Sequence, residues 1–231
     1  MSSRDRILAK VRAGVAAGNQ PSVADSDKLR RATVEQRLAA HERHLVPERT
    51  AGKSAAELST IMRRWLELAG GEMIEVASEG AVPAAIADFL RRYNLPQRLR
   101  MGADKRLGGL PWSNEPQLEL SHGPAERTDM ASLTHALAAV AETGTMVVAS
   151  CADNPVTLSF LPENNIVLVQ RADVVGPLED AITRVRTRAD SGAGLPRTLN
   201  MISGPSRSAD IGGIPVFGAH GPRRLCLIVI G

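Results

Sequence analysis

The sequence predicts an α/β protein, built on a mostly parallel sheet covered by helices on both faces and preceded by a helical arm. Three observations carry this. From Ser54 onward, segments with helical periodicity alternate with short apolar runs. Two of those runs, Ile166 to Gln170 (IVLVQ) and Leu225 to Ile230 (LCLIVI), are apolar throughout and rich in β-branched residues, as strands buried on both faces are. A chain of 231 residues with 43% hydrophobic residues is long enough to bury a substantial core.

Ile7, Leu8, Val11 and Val15 recur at helical spacing and predict a first helix ending near Gly18. Asn19 to Asp27, with Pro21, reads as a linker. Lys28 to Arg43 reads as a second helix with a thin apolar stripe of Leu29, Val34 and Leu38. Residues 1–53 are therefore expected to form an arm, and residues 54–231 the α/β domain. Within the domain, a helix through Leu58, Ile61, Met62, Trp65, Leu66 and Leu68 stops at Gly70 and Gly71, and Met73 to Ala77 follows as a strand. A helix from about Pro83 to Tyr93 precedes short strands at Arg98 to Met101 and Gln117 to Leu120. Asp129 to Ala141 carries Leu133, Leu137 and Val140 at helical spacing and predicts a helix running into a buried strand, Thr145 to Ser150. Pro177 to Arg188 predicts another helix, and Leu225 to Ile230 a central strand.

Composition excludes several functions. Aromatics are 3% of the chain, too few for stacking platforms on nucleic acid or an aromatic cage. The +3 charge is spread over short basic pairs such as Arg63 and Arg64, the pattern of solvated helix faces rather than a nucleic-acid stripe. Two cysteines, Cys151 and Cys226, cannot supply a zinc site or an iron–sulfur cluster, and both are expected to be buried as small hydrophobes. No segment reads as a signal peptide or a membrane span, so cytoplasmic residence is expected. His41 and His44 read as surface residues, and neither they nor His122 and His135 have partners at metal-ligand spacing. Dinucleotide, Walker and nucleophile-elbow motifs are lacking.

Three polar, Gly-rich segments lie beside predicted strands. In SGPSRSAD, Ser203 to Asp210, the strand end Leu199, Met201 and Ile202 leads into the position where α/β sheets bind ligands, beyond a strand's carboxyl end. Gly204 permits close approach, Ser203, Ser206 and Ser208 offer hydroxyls, and Arg207 offers a planar fork suited to carboxylate or phosphate. Either this is an anion-binding loop with Arg207 as the bidentate contact, or Arg207 pairs with Asp210 and the serines cap a short helix. In ETGT, Gly144 reads as a helix C-cap, or else Glu142, beside the hydroxyls of Thr143 and Thr145, faces the same crevice as base, nucleophile or ligand carboxylate. His220, in the tight turn GAHGP, is either a structural donor or an exposed imidazole.

Taken together, AETGT (141–145), SFLPENNIVLVQ (159–170), ISGPSRSADI (202–211) and FGAHGPRRLCLIVIG (217–231) resemble the LUD domain family in order and spacing. The resemblance covers roughly residues 55–231. It implies a three-layer α/β/α sandwich similar to the NagB/RpiA/CoA-transferase group. It also implies a role beside an iron–sulfur subunit and a cysteine-rich subunit in oxidising lactate to pyruvate, the clusters residing in those partners. Two positions depart from the family pattern: Gly212 stands where the family continues Asp-Ile-Glu, and Asn165 where it has histidine in Pro-x-x-His-Ile. Asn165 carries no proton near neutral pH. Three functions remain open at this point: a non-cluster subunit holding a small anion on Arg207 and the loop N–H groups; a stand-alone enzyme acting on a carboxylate, phosphate or thioester with Glu142 as base or nucleophile, Arg207 as anion clamp and His220 as acid or orienter; or an interaction module using the arm.

Overall fold

The computed structural model describes residues 3–18, 21–41, 46–208 and 216–231. The chain divides into two compact units, Met1–Leu45 and Val46–Gly231. The first holds α1 (Ser3–Gly18) and α2 (Pro21–Ala40), whose apolar side chains Ile7, Val11, Leu29 and Leu38 are exposed. The segment read as a linker is mostly helical, because Pro21 occupies the first helical position, where its missing N–H is not needed.

The second unit runs α3 (Ala55–Leu68), β1 (Glu72–Val76), α4 (Val82–Arg92), β2 (Arg98–Met101), α5 (Lys105–Gly108), β3 (Glu119–His122), β4 (Ala131–His135), β5 (Ala138–Val140), β6 (Thr145–Ala149), α6 (Thr157–Phe160), β7 (Asn164–Gln170), β8 (Val174–Val175), α7 (Leu178–Arg188), β9 (Leu199–Ile202), β10 (Arg207–Ser208), β11 (Val216–Phe217) and β12 (Arg224–Ile230). A six-stranded, wholly parallel sheet has the order β1-β12-β7-β4-β2-β3. Its central strands alternate as a doubly covered sheet requires. Cys226, Ile228 and Ile230 join Ile86, Phe89 and Leu90 of α4 in one core, while Leu225, Leu227 and Val229 join Met62 and Leu66 of α3 in another.

A second sheet, of order β8-β5-β6-β9, packs into the α3-side core through Ala139, Met146, Val148 and Ile202. It presents Ala138, Val140 and Val147 to Ala181 and Val185 of α7. Here the sequence reading is corrected. Residues 129–141 form β4 and β5 instead of a helix, and the 145–149 strand is antiparallel to both of its neighbours. Every residue of ASLTH and AAV is buried, so there is no polar face for a helix to show to water, and the apparent 3.6-residue spacing reflects only a sequence apolar almost throughout. Ser132 and Thr134, buried in β4, are used as hydrogen-bonding groups toward α6 and β7.

Helix α3 begins with a capping box: Ser54 Oγ accepts the Glu57 N–H, and Glu57 accepts the Ser54 N–H at 2.9 Å. It ends in a Schellman turn, with the Gly71 N–H on the Leu66 carbonyl and the Gly70 N–H on that of Glu67, Gly70 supplying the left-handed residue at φ +86°. That turn seats Arg207: a Cβ on Gly70 would lie 1.8 Å from the Arg207 Nη2.

Candidate functional site

The two loops with the most polar character are brought together by Ser206. Its N–H donates to the Pro222 carbonyl (2.8 Å), its carbonyl accepts the Gly218 N–H (3.0 Å), and its Oγ accepts the His220 N–H (3.1 Å). SGPSR and GAHGP are thereby one structure. Between them lies a cleft of about 260 Å³ whose walls include Ser203, Ser206, Arg207, Ser208 and His220. Gly204, at φ +116°, lets the loop lie on the end of α3, where a Cβ would come within 2.7 Å of the Ala69 Cβ.

Arg207 pairs across the β10–β11 ribbon with Phe217, its guanidinium 5.4 Å from the ring centroid and beside the C-terminus of α3, where the helix dipole favours a cation. Arg98, Arg100, Arg106 and Arg184 each hold a carboxylate. Arg207, an exposed residue on the cleft wall, has none within ion-pair distance among the described residues. Asp210, the partner in the alternative sequence reading, and Gly212 lie outside the described residues.

ETGT is the turn of the β5–β6 hairpin, not the junction of a helix and a strand. Gly144 has φ +67°, and a Cβ there would lie 2.8 Å from the Leu66 nitrogen and 2.9 Å from the Trp65 carbonyl carbon, so the turn is pressed onto the backbone of α3. The threonines reach the cleft through hydroxyls: Thr143 Oγ1 and Thr145 Oγ1 are 2.7 Å apart, and Thr145 Oγ1 and Ser203 Oγ 2.6 Å. This chain orients the Ser203 hydroxyl at the cleft wall.

Glu142 is directed elsewhere. Its Oε1 accepts the N–H of Leu178 at 3.1 Å, the first residue of α7, and its own N–H donates to Gly176. Pro177 has no side chain with which to cap that helix, and the Glu142 carboxylate supplies the missing acceptor from a distant loop. Its Oε2 is buried without a partner. His220 is on the cleft wall and Glu142 is not. Glu142→Gln, which keeps the acceptor and removes the charge at the helix end, is expected to cost about 1 kcal/mol, a fall of about 2 to 4 °C in Tm on thermal unfolding.

The cleft follows the carboxyl end of β9, but β9 belongs to the smaller sheet. Relative to the parallel sheet, the site lies at the amino end, since Pro222 leads into β12 and Phe160 into β7. At the carboxyl end of β2 in the parallel sheet, the space is occupied by the chain itself. The Arg106 guanidinium grips Asp104 by both carboxylate oxygens just beyond β2, and a Cβ on Gly102 would lie 1.9 Å from the Asp153 carbonyl oxygen. Beneath them His135, the last residue of β4, is buried. Burial disfavours its imidazolium, nearby Arg106 adds to this, and Asp104 and Asp173 oppose it, so the ring titrates at about 4. Because the folded pKa is depressed, the stabilisation is present above the ordinary histidine range near 6.5 and is lost as pH falls toward 4. Urea titrations at pH 7.5 and 4.5 are expected to show a loss of roughly 2 kcal/mol that His135→Gln removes. Cys226 is buried as expected, but Cys151 is exposed, in a bridged turn with Asn154.

Sequence reasoning did not find Phe160 or Met201, which complete the cleft wall. Asn165 lies beneath α6. Its Nδ2 donates to the Leu158 carbonyl (3.2 Å), which also accepts the Ser132 hydroxyl (2.6 Å), and so fixes the short helix that ends in Phe160. Its Oδ1 is buried without a partner. No group of three or more histidine, cysteine or acidic side chains among the described residues is arranged to hold a metal, and no described helix is long and apolar enough to cross a membrane.

Comparison with known proteins agrees with this geometry in its extent. A LUD domain model matches residues 124–230, the stretch that holds both loops of the cleft and the ETGT turn. The lactate utilization protein C of Geobacillus thermodenitrificans is 30% identical over 166 residues, 71% of this chain and 69% of that protein. Its counterpart in Halalkalibacterium halodurans is 38% identical over 106 residues, 46% of each chain, so under half of that relative's length is matched. The crystal structure of a DUF162 family protein from Deinococcus radiodurans superposes with a TM-score of 0.59 at 24% identity, covering 78% of this chain and 99% of that one, and shares the fold. The chain therefore belongs to the LUD domain family, with lactate utilization protein C sequences among its relatives.

Proposed function

We propose that this chain serves lactate utilisation by binding a small carboxylate in the cleft between SGPSR and GAHGP. The observation that carries the reading is an exposed arginine without a carboxylate partner among the described residues, set in a cleft whose walls offer the hydroxyls of Ser203, Ser206 and Ser208 and the imidazole of His220. A guanidinium fork matches a carboxylate bidentately, and neighbouring hydroxyls suit the oxygen on the adjacent carbon. The names of the relatives point to lactate as the acid.

In this reading the chain is the non-cluster component of a lactate-oxidising system and works beside an iron–sulfur subunit and a cysteine-rich subunit. Its own two cysteines, one buried and one exposed, cannot ligate a cluster, so electrons from lactate pass through the partners. Glu142, engaged at the start of α7 and away from the cleft wall, weighs against the stand-alone enzyme in which it acts as base. The test is calorimetric titration of the chain with L-lactate and pyruvate, followed by lactate oxidation with an artificial electron acceptor, with and without the partner subunits. Saturable binding with turnover only in the reconstituted mixture is expected; turnover by the isolated chain would contradict a non-catalytic role.

A further inference from the structure

The cleft has a second wall that an acid as small as lactate would leave uncovered. The chain contains three phenylalanines. Phe89 lies in the core at 1% exposure, whereas Phe160 is 41% exposed and Phe217 is 51% exposed, and both stand at this site. Phe217 is under the Arg207 guanidinium. Phe160 faces the cleft from α6, and Met201, 47% exposed, faces it from β9.

The presentation of Phe160 is built into the fold. The carbonyl of Leu158 is held by Ser132 and Asn165, Leu158 and Ser159 are buried, and the helix therefore turns its next side chain outward over the cleft. Large apolar side chains left in water beside converging polar groups mark a ligand surface. The one cleft is lined by the cationic Arg207, by the hydroxyls of Ser203 and Ser206, and by the apolar side chains of Phe160 and Met201.

We infer that the cleft takes, besides lactate, acids whose side chain is apolar and larger than methyl, branched-chain or aromatic 2-hydroxy or 2-oxo acids, and prefers them. Their carboxylate lies on Arg207 and their side chain lies against Phe160 and Met201. This rests on the carboxylate reading above and extends its substrate class. A flexible, polarizable methionine in the same wall as an aromatic ring suits side chains of differing shape.

The experiment is calorimetric titration of the full chain with L-lactate, 2-hydroxy-4-methylpentanoate and 3-phenyllactate, repeated on Phe160→Ala and Met201→Ala. The larger acids are expected to bind about tenfold tighter than lactate or more, from the apolar surface they bury, and that ratio is expected to shrink toward one in both variants. Lactate binding as tightly as the larger acids, or a preference that survives both substitutions, would overturn the inference while leaving the carboxylate reading in place. Failure of all three acids to bind the unsubstituted chain would overturn both.

Discussion

Replacing Gly144 by alanine is expected to lower the unfolding free energy by about 3 kcal/mol, among the largest effects of any single methyl added to this chain. Two costs combine. The residue holds φ +67°, which a side chain makes strained, and the new Cβ would meet the Leu66 nitrogen at 2.8 Å and the Trp65 carbonyl carbon at 2.9 Å. Those are backbone atoms of α3, which cannot swing aside as a flexible side chain does. Either α3 lifts from the parallel sheet or the β5–β6 turn opens, and the second course also breaks the hydroxyl chain from Thr143 through Thr145 to Ser203. Chemical denaturation reads the first cost. Thr145→Val, which removes the hydroxyl and leaves Gly144 in place, separates loss of the hydroxyl chain from loss of the turn.

Arg207→Ala is expected to weaken carboxylate binding by about ten- to a hundredfold, the value of a charged hydrogen-bonding fork, while leaving the fold in place. The side chain is exposed, pairs with no carboxylate among the described residues, and touches the body through the Phe217 ring and the turn at Gly70. Arg207→Lys is expected to recover only part of the loss, because an ammonium keeps the charge without the planar fork. Titration of the three proteins with L-lactate, beside their thermal melts, reads affinity and stability separately. Collapse of the melt in Arg207→Ala would assign the residue a structural role at the end of α3.

How far the sequence foretold this structure differs from element to element, for physical reasons. Strands β7 and β12 were legible because a strand buried on both faces has no polar alternation, and IVLVQ and LCLIVI show none. Helix α3 was legible through the spacing of its apolar residues and its glycine stop. Residues 131–140 were not: ASLTHALAAV is rich in alanine and buried at every position but Leu137, so its periodicity records composition instead of a helix face. With that segment as two strands, a second sheet appears that a single-sheet reading lacked.

The site divides in the same way. SGPSR and GAHGP announced themselves by polar, Gly-rich composition beside buried strands, and Ser206 joins them by three hydrogen bonds. The role of Glu142 was hidden because its partner, the N–H of Leu178, lies 36 residues away and on a helix whose packing no local pattern specifies. His135 was read only as lacking metal-ligand partners, because its buried surroundings come from β2, α5 and the end of β7, which meet only in the folded sheet. Phe160 had one usable signal, the scarcity of aromatics, and Met201 had none.

The proposed anion site lies at the amino end of the parallel sheet and not at its carboxyl end. Backbone amide chemical shifts recorded during titration with L-lactate distinguish the two ends. Saturable shifts are expected at Ser203, Ser206, Arg207 and His220 and are expected to disappear in Arg207→Ala. Shifts centred on Gly102, Arg106 and His135, or shifts at the cleft that persist without the guanidinium, would contradict this placement.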